Sequence, residues 1–225
     1  MPRDSMDRQL HHLQDEVLLL GSMVEQSVLN AVDALKRRDI PAAQHIYDAD
    51  RAINSKRFAI ENNILIIIAT QQPMAKDLRL LTAMLEVITE LERMGDYAKG
   101  IAKVVIRLEE STIPVPIRDI QQMADLAVSM LHRALGAFIS ENASLAMSLP
   151  KEDDQVDGLY IRIYNSLVAS MIANPETIDH ANLLLWVAHN LERMADRVTN
   201  ICERTVFIAT GELLELDQTD DEDAE

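Results

Sequence analysis

Apolar residues recur every three to four positions along almost the whole chain, the spacing of helices that bury one face. The pattern predicts six helices, over roughly 5–37, 41–71, 76–109, 117–147, 151–173 and 177–209. Prolines punctuate them. Pro41 stands at a helix start, Pro73 in the second connection, Pro150 and Pro175 in the second half. Ser111-Thr112-Ile113-Pro114-Val115-Pro116 carries two, which break helix and push the residues before them to extended geometry. Most of these helices are long and their connections short, which implies antiparallel bundles.

The break at 111–116 falls mid-chain, and its two sides resemble each other. Leu91-Glu92-Arg93-Met94 recurs as Leu191-Glu192-Arg193-Met194, 100 positions on, and the match extends to Asp96 with Asp196 and Ile101 with Ile201. Upstream, Pro73 with Asp77 parallels Pro175 with Asp179, Asp50-x-x-Ile53 parallels Asp153-x-x-Val156, and Ser22-Met23 parallels Ser129-Met130. The order is the same in both halves, as a duplicated three-helix unit requires. One three-helix unit has little core of its own, so the halves are expected to pack together. The plainer alternative is a continuous six-helix array.

Composition narrows the class. Aromatics make up only 4% of the chain, with one Trp, so the core must be built from Leu, Ile, Val, Ala and Met. Six glycines and seven prolines are too few for the turns of a sandwich or barrel. The class reads as all-α. The net charge of −16, from 37 acidic and 21 basic residues, argues against a nucleic-acid partner, which needs a concentrated basic surface. The one tight basic cluster, Lys36-Arg37-Arg38, suits a helix C-terminus. Cys202 is alone, which excludes an intramolecular disulfide or a CxxC metal site. The start of the chain lacks the apolar stretch of a signal peptide, and the longest strongly apolar run, 64–69, is far short of the roughly 20 residues of a membrane span. A cytoplasmic protein is expected, one that can still dock on a membrane protein.

The candidate chemistry is carboxylate. Glu92 and Asp96, like Glu192 and Asp196, are four residues apart, which puts both on one helix face with Cβ atoms about 5–6 Å apart, where like charges repel by a few tenths of a kcal/mol. Met84, Ile88, Leu91, Met94, Ala98, Ile101 and Val105 form the apolar stripe of that first helix. Glu92 lies about 40° around from Ile88 and Asp96 about 40° further, at the margin of the buried face, where uncompensated charge costs more. The preceding helices add Asp50 in the first half, and Asp153 with Asp157 in the second. These acids are candidate oxygen ligands for Mg²⁺, Ca²⁺, Mn²⁺ or bridged iron. The competing reading is ordinary surface ion pairing, with Arg93 and Lys99 each three residues from Asp96 and Arg193 three from Asp196. E-x-x-H is absent, which argues against the di-iron site of ferritin-like bundles. His189, just before Glu192, is the one histidine near the acids and reads first as a surface residue. No G-x-S-x-G, G-x-G-x-x-G or Walker loop occurs, and Cys202 has no activating neighbour in sequence. No enzyme is expected.

In combination, Gln72-Pro73-Met74-Ala75-Lys76-Asp77-Leu78-Arg79 and Leu91-Glu92-Arg93-Met94-Gly95-Asp96 resemble the PhoU repeat, Q-P-x-A-x-D-L-R and L-E-R-[IM]-G-D. Leu191-Glu192-Arg193-Met194-Ala195-Asp196 supplies the second copy, and 200–212 resembles the family's ending. The resemblance covers residues 5–212. It implies two tandem three-helix bundles related by approximate twofold symmetry, residues 1–110 and 117–212, before an acidic tail, 213–225, expected to be disordered. It implies a cytoplasmic negative regulator of the phosphate-starvation response, peripheral to the inner membrane through its partners. Those partners are the ATPase subunit of the phosphate ABC transporter and a phosphate-sensing histidine kinase. It further implies multinuclear iron or another divalent metal (Mn, Mg, Zn or Ni) held through E(D)xxxD motifs. Carried onto this chain, the ligands are Asp50, Glu92 and Asp96 in the first unit, and Asp153, Asp157, Glu192 and Asp196 in the second. Asn54 stands where the first unit should have a further acid, and Ala195 replaces a glycine. A homodimer is expected from base rates for soluble assemblies. The alternative function is a carboxylate-bridged metal-binding or metal-storage bundle.

Overall fold

The computed structural model describes residues 3–108 and 113–216, which are helical apart from short connections and contain no strand. Helix α1 (Arg3–Arg37) buries Leu10, Leu13, Val17, Leu20, Val24, Val28, Ala31 and Leu35, a stripe stepping by three and four residues. Lys36 and Arg37 fall in its last turn. Helix α2 (Ile40–Gln71) starts at Asp39, whose side chain accepts a hydrogen bond from the Ala42 amide, and ends at Gln72 in the left-handed region, just before Pro73. Its buried seam runs Ala43, Ile46, Asp50, Ile53, Ile60, Ile64 and Ile67. Asp50 therefore occupies a position that the pattern reserves for an apolar side chain. Helix α3 (Lys76–Arg107) is buried along two stripes, one through Leu81, Met84, Ile88, Leu91, Ala98 and Val105, the other through Leu80, Val87, Met94, Ile101 and Val104.

The second half repeats the scheme with one interruption. Helix α4 spans Ile117–Ile139, a short α5 Ala143–Ser148, α6 Asp153–Ala173 and α7 Ile178–Thr210. The single helix expected over 117–147 is thus two. The Ser140 hydroxyl donates to the Gly136 carbonyl at 2.7 Å, Glu141 adopts φ 51°, and the Asn142 side chain caps the new start by accepting from the Leu145 amide at 3.1 Å. Single 3₁₀ turns, Pro150–Glu152 and Pro175–Thr177, lead into α6 and α7. The predicted end of the third helix, residue 109, lies outside the described residues, as does most of the expected tail. Of that tail, residues 213–216 are described: the Leu216 amide donates to Glu203 Oε1 at 3.0 Å, and its side chain packs on the core.

The two three-helix units join through their flat sides. Helices α1, α3, α7 and α4 contact one another in a ring, a four-helix core, with α2 seated on α1 and α3, and α6 seated on α4 and α7. Helix α3 therefore meets neighbours on both sides, which accounts for its two buried stripes. Polar contacts also cross between units: Arg197 donates to Tyr97 Oη and to Glu90 Oε2, each at 3.3 Å, Arg204 pairs with Glu86 at 3.2 Å, and Lys76 pairs with Glu141 at 2.5 Å. The all-helical tandem arrangement expected from the sequence is the one observed.

Candidate functional site

The seam of α2 turns Asp50 inward against α3, leaving it 4% exposed. A buried carboxylate needs a counter-charge or donors. Lys99 of α3 supplies the first, its Nζ donating to Asp50 Oδ2 at 2.7 Å, and Asn54 Nδ2 donates to the same oxygen at 3.0 Å. Asp50 Oδ1 is buried and accepts no hydrogen bond. Lys99 reaches Asp96 only at 3.8 Å and lies 5.5 Å from the Tyr47 ring centroid. Its hydrogen bond to Asp50 raises the lysine's pKa. Burial, then the Asp96 and Asp50 charges, raise the Glu92 carboxyl, with Arg57 opposing. Burial and Asp50 raise Asp96, with Lys99 opposing. Asp50, Glu92 and Asp96 thus share one electrostatic neighbourhood, and Lys99 sits among them as a covalently attached cation. The sequence signals Lys99 only as a surface partner of Asp96, since its main contact is 49 residues away in the chain. Arg93, the other expected partner of Asp96, instead donates to Glu90 at 2.9 Å.

The second unit keeps the carboxylates and removes the lysine. The position equivalent to Lys99 is Thr199, buried, and the position equivalent to Asn54 is Asp157. Glu192 is pushed up to about 7, by burial first and then by the charges of Asp196 and Asp157, with Arg193 opposing. Arg193 donates to Asp196 at 3.1 Å, as the spacing predicted. Glu192 Oε2 is buried and accepts no hydrogen bond. His189 Nδ1 lies 3.3 Å from it, at an angle that makes no hydrogen bond but that gives an ion pair when the imidazole is protonated. The His189 ring also contacts Trp186 at 5.6 Å and Tyr160 at 6.5 Å between centroids. Asp153 lies one turn before Asp157, at the start of α6.

Among the described residues, no three His, Cys, Asp or Glu side chains stand together in a geometry that holds a metal ion. The two faces still differ in how they fit a cation. In the second, Thr199 stands where the first has Lys99, and burial with the charges of Asp196 and Asp157 pushes the Glu192 carboxyl up to about 7 despite Arg193, so a cation there would relieve the crowding. In the first, Lys99 already fills that role. Elsewhere, Cys202 is buried, and burial with the nearby Glu203 pushes its thiol up to about 12, which leaves it protonated and unreactive near neutral pH. No helix is long and apolar enough to cross a membrane among the described residues.

The chain is a duplicated helical bundle whose candidate carboxylates lie on α2–α3 in the first unit and on α6–α7 in the second. The chain belongs to the PhoU domain family, whose model matches residues 17–105 and 120–205, one match per unit. A "phosphate-specific transport system accessory protein PhoU homolog" of Streptococcus pneumoniae is 36% identical over 214 residues, 95% of this chain and 99% of that protein. The crystal structure of the phosphate transport system regulatory protein PhoU from Streptococcus pneumoniae superposes with a TM-score of 0.86 at 35% identity, covering 93% of this chain and 99% of the other. That of PhoU from Pseudomonas aeruginosa gives 0.85 at 31% identity, over 92% and 99%.

Proposed function

We propose that the chain is a non-enzymatic regulatory adaptor of phosphate uptake, a cytoplasmic negative regulator of the phosphate-starvation response. It couples the ATPase subunit of the phosphate ABC transporter to a phosphate-sensing histidine kinase, working as a homodimer held at the inner membrane by those partners. The observation that carries this reading is the family match over both units, with relatives named as accessory proteins of phosphate-specific transport. The adaptor acts by mass action, binding one state of a partner more tightly and so shifting that partner's equilibrium. Deletion of the gene in its host is expected to switch on phosphate-starvation genes in phosphate-rich medium. Unchanged expression there sinks the proposal.

We further propose that cation binding belongs to the second unit. Asp157, Glu192 and Asp196, with Asp153 beside them, are the residues that would hold a divalent metal or iron, hard or borderline cations that carboxylate oxygen suits. Neutralising crowded carboxylates is the chemistry such an ion supplies. On the first face, Lys99 and Asn54 perform that neutralisation from within the chain. Elemental analysis of protein purified without chelator should find about one metal or more per chain. It should be lost in Glu192→Ala with Asp196→Ala and kept in Glu92→Ala with Asp96→Ala. A metal-free preparation removes the cation from the proposal and leaves the adaptor.

A further inference from the structure

Among the described residues, two grooves along the α3–α7 seam are counterparts under the 100-residue repeat. One is lined by Glu86, Val87 and Glu90 of α3 with Asn200, Glu203 and Arg204 of α7. The other exchanges the helices: Gly100, Lys103 and Val104 stand where the first has Asn200, Glu203 and Arg204, and Trp186 stands where it has Glu86. The chemistry of the two is inverted. The first groove, 240 Å³, is closed by its own ion pairs, Arg204 to Glu86 at 3.2 Å, Arg204 to Glu203 at 3.7 Å and Arg197 to Glu90 at 3.3 Å. The second, 640 Å³, is open and basic.

Lys103 and Arg107 line this second groove, both exposed and neither in an ion pair or hydrogen bond with a described residue. They are four residues apart on α3, so their Cβ atoms lie about 5–6 Å apart on one helix face, and both long side chains can reach the oxygens of one diphosphate. His180 and Asn182 add donors from the first turns of α7, where the helix dipole is positive. The indole of Trp186 forms a wall, 55% exposed, its inner side against His189. Asp179 lies at the same mouth and offers the one carboxylate acceptor. In a chain of net charge −16, a long polyanion is repelled, whereas a compact anion meets the local cations first. A volume of this size fits one small molecule.

We propose that this groove binds a nucleotide, with its phosphates on Lys103 and Arg107, its base against the Trp186 indole, and Asp179 accepting from the base or sugar. Each component has a distinct chemical reason. Two cations on one helix face give charge-assisted hydrogen bonds to more phosphate oxygens than a single phosphate fills, the exposed indole offers a stacking face, and a carboxylate beside a phosphate site suits a ligand that also carries donors. Inorganic phosphate satisfies only the first of these. The proposal stands apart from the adaptor reading: the residues lining this groove include none of the candidate carboxylates of either unit.

Trp186 is the only tryptophan in the chain, so fluorescence of the intact protein reports on the groove alone. Titration with ADP should quench it saturably, with a Kd below about 1 mM. Adenosine and inorganic phosphate should each bind at least about tenfold more weakly, a loss of about 1.4 kcal/mol. Lys103→Glu with Arg107→Glu should abolish saturation, while Arg51→Glu with Arg162→Glu, the same charge change placed elsewhere, should leave it intact. Circular dichroism confirms that both double variants remain helical. The proposal is overturned by the absence of saturable quenching with ADP, by equal affinity for phosphate and ADP, or by equal loss in the two double variants.

Discussion

Asp50 and Glu192 are the residues at which this fold departs from a plain helical bundle, and each departs in a way that can be measured. Asp50 occupies a seam position, 4% exposed, and is tolerable there because Lys99 Nζ donates to it at 2.7 Å and Asn54 at 3.0 Å. Lys99→Ala removes the counter-charge and should cost about 2–3 kcal/mol in urea unfolding, less than a fully buried pair because Asn54 still donates. Adding Asp50→Asn should recover most of that loss. No recovery would mean that Lys99 contributes through packing alone. Glu192 poses the opposite case, a carboxylate without enough positive charge. Its pKa in the folded protein, about 7, exceeds the ordinary 4.5, so between those values the native state holds more protons than the unfolded one. Stability therefore falls as pH rises from about 4.5 through about 7. Glu192→Gln cannot lose a proton and should be more stable than the parent at pH 8 by about 1–2 kcal/mol, after allowance for solvent screening. The difference should vanish near pH 4.5. A gap that is the same at both pH values would show that folding does not raise the Glu192 carboxyl.

Between the two copies of the element pair, helix two against helix three, a glycine and its facing side chain change together. At Gly95 an added Cβ would lie 3.1 Å from Ile53 Cγ2 and 3.2 Å from Ile53 Cδ1, so alanine there would crowd Ile53 and make its side chain give by a few tenths of an ångström. In the second unit Ile53 is replaced by Val156, which has no Cδ1, and the glycine by Ala195, buried without exposure. Gly95→Ala sets a helix-propensity gain of about 1 kcal/mol against crowding of similar size and should be near neutral or mildly destabilising. In an Ile53→Val background, which removes one of the two close carbons, the same change should be more favourable by about 0.5 kcal/mol, a coupling visible in a double-mutant cycle. Simple additivity would show that α2 and α3 are not in register as described. Elements like these were largely legible in the sequence, since long apolar periodicity and proline punctuation placed six helices. The break after Ile139 was not, because it has no proline and rests on Glu141 at φ 51° and the Asn142 cap. The carboxylates were legible as i,i+4 pairs repeated 100 residues apart. Lys99 as the internal cation was not, because a contact across 49 residues exists only once α2 and α3 have packed.

Seen whole, the two units are one folding body rather than beads on a string. The four-helix ring of α1, α3, α7 and α4 gives each unit only half of the central core, and α3 shows this directly. Val87, Gly100 and Val104 line its seam with α7, Glu90 and Tyr97 receive Arg197, and a Cβ at Gly100 would come 2.9 Å from the buried Asn190 amide. Val87 and Val104 are buried, so separating the units would expose apolar surface on α3 and α7 together and leave the Arg197 partners unpaired. Each CH₂ so exposed costs about 0.8 kcal/mol, so a half-unfolded intermediate has no region of denaturant where it is favoured over both end states. Urea unfolding should therefore follow a single transition. Helix content by far-ultraviolet dichroism and Trp186 fluorescence, which reports on the seam between α3 and α7, should fall along the same curve with one midpoint. If fluorescence is lost at a lower urea concentration than the helix signal, the units separate before their helices melt. The seam between α3 and α7 would then be a joint that opens, and any partner reading that surface would meet two separable units instead of one.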